Sequence, residues 1–263
     1  MSTKIKISLI TRDNFLASLR KVMRDEYLAV NRRKNPVAVN LDRTASDQLL
    51  YLVGQYTLFP KNIVSFLRSA QEVAGTNGWE MVCEELERNI GEEYGSKTEG
   101  IPHYDMLVKG LSSELGNDLG YAPAADLEKK LRLLEPLPAM GRFLTHIPKI
   151  VGNENSLYAM GGTYALEASA VPELVIVRMA VSKLIENSTG IPMARDGYLG
   201  KFLDAHLRVW EPGHEEGLRV TSAIYLSAPE TGESFEAGFR ETIKAMDTMW
   251  TGLYKESQVD RDS

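Results

Sequence analysis

Apolar residues recur at three- and four-residue steps from one end of this chain to the other, while strict two-residue alternation is almost missing. Phe15, Leu16, Leu19, Val22, Met23 and Tyr27 form one stripe, and Leu49, Leu52, Val53 and Tyr56 a second. Phe235, Phe239, Ile243, Met246, Met249, Trp250 and Leu253 form a third. A helix turns by about 100° per residue, so each set lines one helical face that needs a neighbour to cover it. Asn77-Gly78 and Asp196-Gly197 stand between helical patterns rather than between alternating runs, so neither reads as a hairpin. The expectation is an all-α bundle of about seven to nine helices.

Breaks are expected at Pro36, Pro60, 75–78, 116–123, Pro136 and Pro138, Gly152, 190–192 and 229–232. None is long enough for an interdomain linker, so residues 1–256 are expected to form one domain and the polar segment 257–263 a disordered tail. A chain of 263 residues with 43% hydrophobic content can bury such a core. Its net charge of -6 argues against a nucleic-acid partner, because phosphate backbones select surfaces rich in Lys and Arg. No run of about 18 apolar residues appears, and the first ten residues lack a targeting pattern, so a cytoplasmic protein without a membrane partner is expected. A single cysteine, Cys83, excludes an internal disulfide. It lies in the run W-E-M-V-C-E-E-L-E, where carboxylates raise rather than lower a thiol pKa, so it reads as packing.

Three of the four histidines belong to an ordered carboxylate and imidazole series. In N-I-G-E-E-Y-G-S-K-T-E-G-I-P-H, Glu93 is expected to end one helix just before Gly95 and His103 to open the next after Pro102, which brings both to one ion. In G-G-T-Y-A-L-E-A-S-A-V-P-E, Glu167 sits among small and apolar residues, where a buried carboxylate needs a cation or a proton. In H-L-R-V-W-E-P-G-H, His206, Glu211 and His214 are five and three residues apart and share a face only loosely in a regular helix. Pro212 removes the backbone donor that would bond Arg208, and such a gap accompanies a π-bulge, which brings residues five apart into line. A bulge near 209–212 is therefore expected, with Trp210 turned away from the site. Asp204, Glu215 and Glu216 are the alternatives to Glu211. His146 has no motif around it and reads as structural, and runs such as Glu92-Glu93 and Glu215-Glu216 also suit a solvated face.

The order Glu, His, Glu, His, acid, His resembles the haem-oxygenase-like dimetal oxidases. These include relatives of the chlamydial protein associating with death domains, the undecene-forming fatty acid decarboxylase, lysine-fragmenting oxidases and N-oxygenases. The resemblance spans roughly residues 55–254. It implies a haem-oxygenase-like fold with one iron held by Glu93, His103 and His206 and a second by Glu167, Glu211 and His214, with carboxylate bridging. The chain departs from the family pattern where the acid usually follows the first histidine by four residues: Trp210 stands there, and Glu211 comes one later.

Oxygen and nitrogen donors without thiolate favour iron or manganese over zinc. Two Fe(II) ions with O2 as co-substrate, oxidising a small molecule, is the reading that results. A free amino acid or amine is the expected substrate, with a fatty acid the alternative. A metal-free bundle of the thiaminase II or pyrroloquinoline quinone synthase kind, and a noncatalytic binding bundle, are the other classes. Residues expected to line the cavity are Tyr56 and Phe59 on an early helix and Tyr164 beside Glu167, with Arg178 or Arg208 as a carboxylate clamp. A homodimer is left open.

Overall fold

The computed structural model describes residues 9–116, 124–226 and 229–259. Among these, every regular element is helical. The chain runs through α1 (Leu9–Glu26), α2 (Pro36–Val39), α3 (Ser46–Tyr56), α4 (Leu58–Thr76), α5 (Glu80–Glu93) and α6 (His103–Leu115). It continues through α7 (Ala124–Arg132), α8 (Pro138–Val151), α9 (Ser156–Thr189), α10 (Tyr198–Ala205), α11 (Glu211–Tyr225) and α12 (Pro229–Ser257), with a π-helical turn, His206–Trp210, joining α10 to α11.

The longest helix, α9, is the axis of the bundle. Apolar and small residues cover most of its circumference, and Ala159 to Ser169 are buried without a break, so it must be surrounded rather than laid on a surface. Asn155 caps its start by accepting from the backbone N–H groups of Leu157 and Tyr158. Its most extensive contact is with α12, which carries the third apolar stripe. That crossing is tight because of two glycines: a methyl on Gly161 would overlap the Phe235 carbonyl, and one on Gly238 would overlap the Tyr158 carbonyl. Phe235, Phe239, Ile243 and Met246 are then fully buried against α9. The other helices pack around this pair, with α3, α4 and α11 against α9 and α8 against α12.

Two expected breaks are not breaks. Pro60 lies in the first turn of α4, where a backbone N–H has no intrahelical partner to lose, and the chain bends instead at Thr57. Pro229 likewise opens α12 rather than interrupting it. The expected break over 117–123 falls outside the described residues, as do 260–263 of the expected tail; Ser257, its first residue, is buried at the end of α12. No described helix is long and apolar enough to cross a membrane.

Candidate metal centre

Each candidate ligand is held by a local feature of the chain. The helix α5 ends at Glu93 and α6 begins at His103, as the sequence pattern predicts. The connection folds back on itself through Gly95, whose φ of 98° and contact with the backbone of Gly100 and Ile101 exclude a side chain. In consequence His103 Nδ1 lies 3.1 Å from Glu93 Oε1. Glu167 sits on the buried part of α9. The bulge expected from Pro212 is the π turn: the Glu211 N–H donates to the His206 carbonyl five residues back, which swings Glu211 round to join His206 and His214.

The donors converge in two groups. His206 Nδ1 is 2.9 Å from the Phe202 carbonyl and must donate there, which leaves its Nε2 lone pair facing His103 Nδ1 at 3.3 Å. Glu93, His103 and His206 thus form one group. In the other, His214 Nδ1 is 3.5 Å from Glu167 Oε2 and 3.7 Å from Glu211 Oε2. Donor atoms of Glu93, Glu211 and His214 all lie within 4.8 Å of one another, so Glu93 links the groups. All three histidines, Glu167 and Glu211 are buried, and the Glu93 side chain is 10% exposed.

Sequence reasoning missed Glu92, whose run with Glu93 suits a solvated face. Its Oε2 lies 3.3 Å from His214 Nε2, and Arg88 Nη1 donates to its Oε1 at 2.6 Å. This carboxylate fixes the ring so that Nδ1 faces Glu167 and Glu211, the usual arrangement behind a metal-bound imidazole. The Arg88 and Glu92 spacing of four residues was the available signal. Trp210 is a correction: its indole is not turned away but stacks on His103, with centroids 4.5 Å apart and planes 16° from parallel. It also meets His206 edge-on. The distal nitrogen of His103, Nε2, has no hydrogen-bond partner, so on that side the ring is held by the stack, whereas the far nitrogens of the other two rings are held by hydrogen bonds.

Proton affinities record the crowding. Burial and the neighbouring His103 push His206 down to about 4. Burial would also lower His214, but Glu167, Glu211 and Glu92 outweigh it and raise the imidazole well above its ordinary range. Glu92 is drawn down to about 2, first by the His214 hydrogen bond and then by Arg88. Burial raises Glu211, with His214 offsetting part of the effect. For Glu93, burial is outweighed by His103 and the other imidazoles, and its pKa falls. Four carboxylates and three imidazoles packed in this way suit cations of the borderline and hard kind that carboxylate and imidazole bind.

The alternatives to Glu211 are engaged elsewhere. Asp204 pairs with Arg178, Glu215 with Arg20, and exposed Glu216 with Arg219. A narrow cavity reaches the centre and is lined by Tyr56 and Phe59, as expected. Tyr164, Arg178 and Arg208 do not line it. Tyr164 faces α12 and packs on Phe235 and Phe239, because α9 is covered on all sides and one turn from a ligand is another neighbour's territory. The Arg178 guanidinium is taken by Asp204, and the Arg208 side chain is 68% exposed on the outer side of the π turn. His146 pairs with Glu241 between α8 and α12, a structural contact.

A fold and site of this kind define a haem-oxygenase-like helical domain with a candidate metal centre. The chain matches the DUF3865 family, described as a domain of unknown function with solved structure, over residues 13–256, and belongs to it. Among solved structures it is similar to a CADD-like protein of unknown function from Nostoc punctiforme PCC 73102: 32% identity, TM-score 0.80, covering 95% of this chain and 100% of that one. A domain of unknown function with a heme oxygenase-like fold from Shewanella denitrificans OS217 matches at 16% identity and TM-score 0.61, over 96% of this chain and 94% of that one. A TenA homolog from Pseudomonas syringae pv. tomato DC3000 matches at 12% identity and TM-score 0.56, over 97% and 96%. The last two likenesses concern the fold alone. No curated protein matches the chain.

Proposed function

We propose that this chain is a dimetal oxidase or oxygenase that uses O2 to oxidise a small molecule. Glu93, His103 and His206 would hold one ion and Glu167, Glu211 and His214 the other, with iron preferred and manganese the alternative. The observation that carries the reading is the convergence of four carboxylates and three imidazoles in one buried place beside a cavity. Two ferrous ions, when bound, supply the electrons and the open positions that O2 reduction requires.

The chain's own residues have separable tasks. The Phe202 carbonyl keeps a proton on His206 Nδ1, so Nε2 faces inward. Glu92 does the same for His214 from the opposite nitrogen. Trp210 clamps His103 by stacking. Phe59, Leu166 and Leu174 wall the cavity with carbon and exclude water, which keeps a reactive site from wasting reductant. A metal-free reaction of the thiaminase II kind needs a cysteine at the cavity, and Cys83 faces α4, with its Sγ 3.9 Å from the Gln71 carbonyl.

The test is anaerobic reconstitution with ferrous ion followed by metal analysis. Two ions per chain are expected, with a drop to about one in His206→Ala and in His214→Ala. Unchanged iron content in both variants overturns the assignment. With two ions bound, O2 uptake that never responds to any candidate substrate or reductant leaves a noncatalytic binding protein as the better description.

A further inference from the structure

The cavity that reaches the centre has an unusual chemical make-up. Apart from five candidate ligands, its described lining offers one polar group, the Tyr56 hydroxyl. Every other lining residue is apolar, and no Lys, Arg, Asn, Gln, Ser or Thr side chain is among them. The two arginines expected to clamp a substrate carboxylate are elsewhere, one held by Asp204 and one directed to solvent. Pro60, Ile63 and Ala170 are only half-buried and mark where the cavity approaches the surface, whereas Leu166 and Leu174 are buried.

A charge placed in the part of such a space beyond reach of the centre's carboxylates loses its water and gains no partner, a cost of several kcal/mol that selects against it. The polar end of a substrate therefore has one place to go, the metal centre. We infer that the substrate is an amphiphile whose single polar head meets the metals and whose body, an alkyl chain or an aryl ring, is uncharged and occupies the cavity. Amino acids with charged side chains, and guanidines, are excluded; among amino acids only those with large apolar side chains meet the requirement. The inference rests on the dimetal reading for the head and on the cavity alone for the body.

The body can be tested without metal. Metal-free protein is titrated calorimetrically with straight-chain alkan-1-ols from butanol to octanol, and with octane-1,8-diol, whose two ends are identical and uncharged. Each added methylene should tighten binding by about three- to four-fold, and the second hydroxyl of the diol, which one end must carry into the apolar part, should weaken binding about ten-fold relative to octanol. Ala170→Phe, which fills the approach, should weaken octanol by a similar factor; Ile63→Trp does the same from α4 and serves if the first variant misfolds. Absence of octanol binding, affinity independent of chain length, a diol that binds as well as octanol, or filled variants that bind like the parent would each overturn the proposal. Iron stoichiometry is measured separately: a normal alcohol series with no bound iron sinks the dimetal reading and keeps the apolar cavity, and two irons with a flat series does the reverse.

Discussion

Glu92→Gln isolates the part of the centre that lies behind a ligand rather than on the metal. The carboxylate is drawn from 4.5 to about 2, with His214 the first cause and Arg88 the second. That displacement corresponds to about 3 kcal/mol of preference for the charged form. Glu92 is 4% exposed, so solvent screens little of it. Losing the carboxylate behind a ligating imidazole is expected to cost roughly ten- to hundred-fold in metal affinity, about 2 kcal/mol, at the group that contains His214. Glutamine keeps the shape and an acceptor oxygen, so the helix end should survive. The assay is anaerobic titration of metal-free protein with cobalt(II) against a competing chelator, which resolves two binding steps. One step should weaken by that factor while the other is unchanged, and Arg88→Gln should give a smaller loss at the same step. Equal weakening of both steps, or no change in either, would refute the assignment of Glu92 to His214.

Three further outcomes are expected. Burial holds the Glu173 carboxyl near a pKa of about 8; the native state keeps a proton that the unfolded chain releases above about 4.5, so native stability falls as pH rises between these values. Glu173→Gln removes that loss, and its advantage in urea unfolding should grow from near zero at pH 5 to several kcal/mol at pH 8; a difference constant with pH would contradict this. Gly161→Ala, which forces α9 and α12 apart, should cost about 2–3 kcal/mol or more, whereas Gly141→Ala in α8, where a methyl meets nothing within 4 Å, should gain about 0.5–1 kcal/mol; equal Tm changes of the same sign would remove the close-crossing argument. Trp210→Leu should weaken metal binding at the His103 group about ten-fold while Trp210→Phe retains most of it; if Leu and Phe behave alike, the aromatic stack is not what positions the ring.

Much of this could be read from residue order because the site is built from local devices. A glycine after Glu93 and a proline before His103 define a helix end and a helix start, and Pro212 deletes one hydrogen bond, so the loop and the bulge follow from the chain itself. What escaped depends on the neighbours. Adjacent Glu92 and Glu93 are chemically identical in sequence and point about 100° apart, yet the end of α5 is enclosed by α11 and α6 so that both are drawn into the centre. Tyr164 is one turn from Glu167 but belongs to the α12 contact, and Arg178 found Asp204 before it could serve a substrate. The preference for a free amino acid or amine rested on a compact, tyrosine-bearing site; the apolar walls of the cavity come from four different helices and have no signature in any one segment.

The π turn has a consequence for how such centres are recognised at all. Between His206 and Glu211 the chain is one residue longer than a regular helix needs to bring two ligands to the same side, and the surplus is taken up as a widened loop of backbone. The centre is thus sensitive to angular phase and indifferent to residue count. Val209, 64% exposed, lies in the widened stretch, and deleting it would leave His, acid and His spaced by four and three residues, which a regular helix aligns without help. A pattern with one fixed spacing misses a chain of this kind, although the candidate ligands stand together.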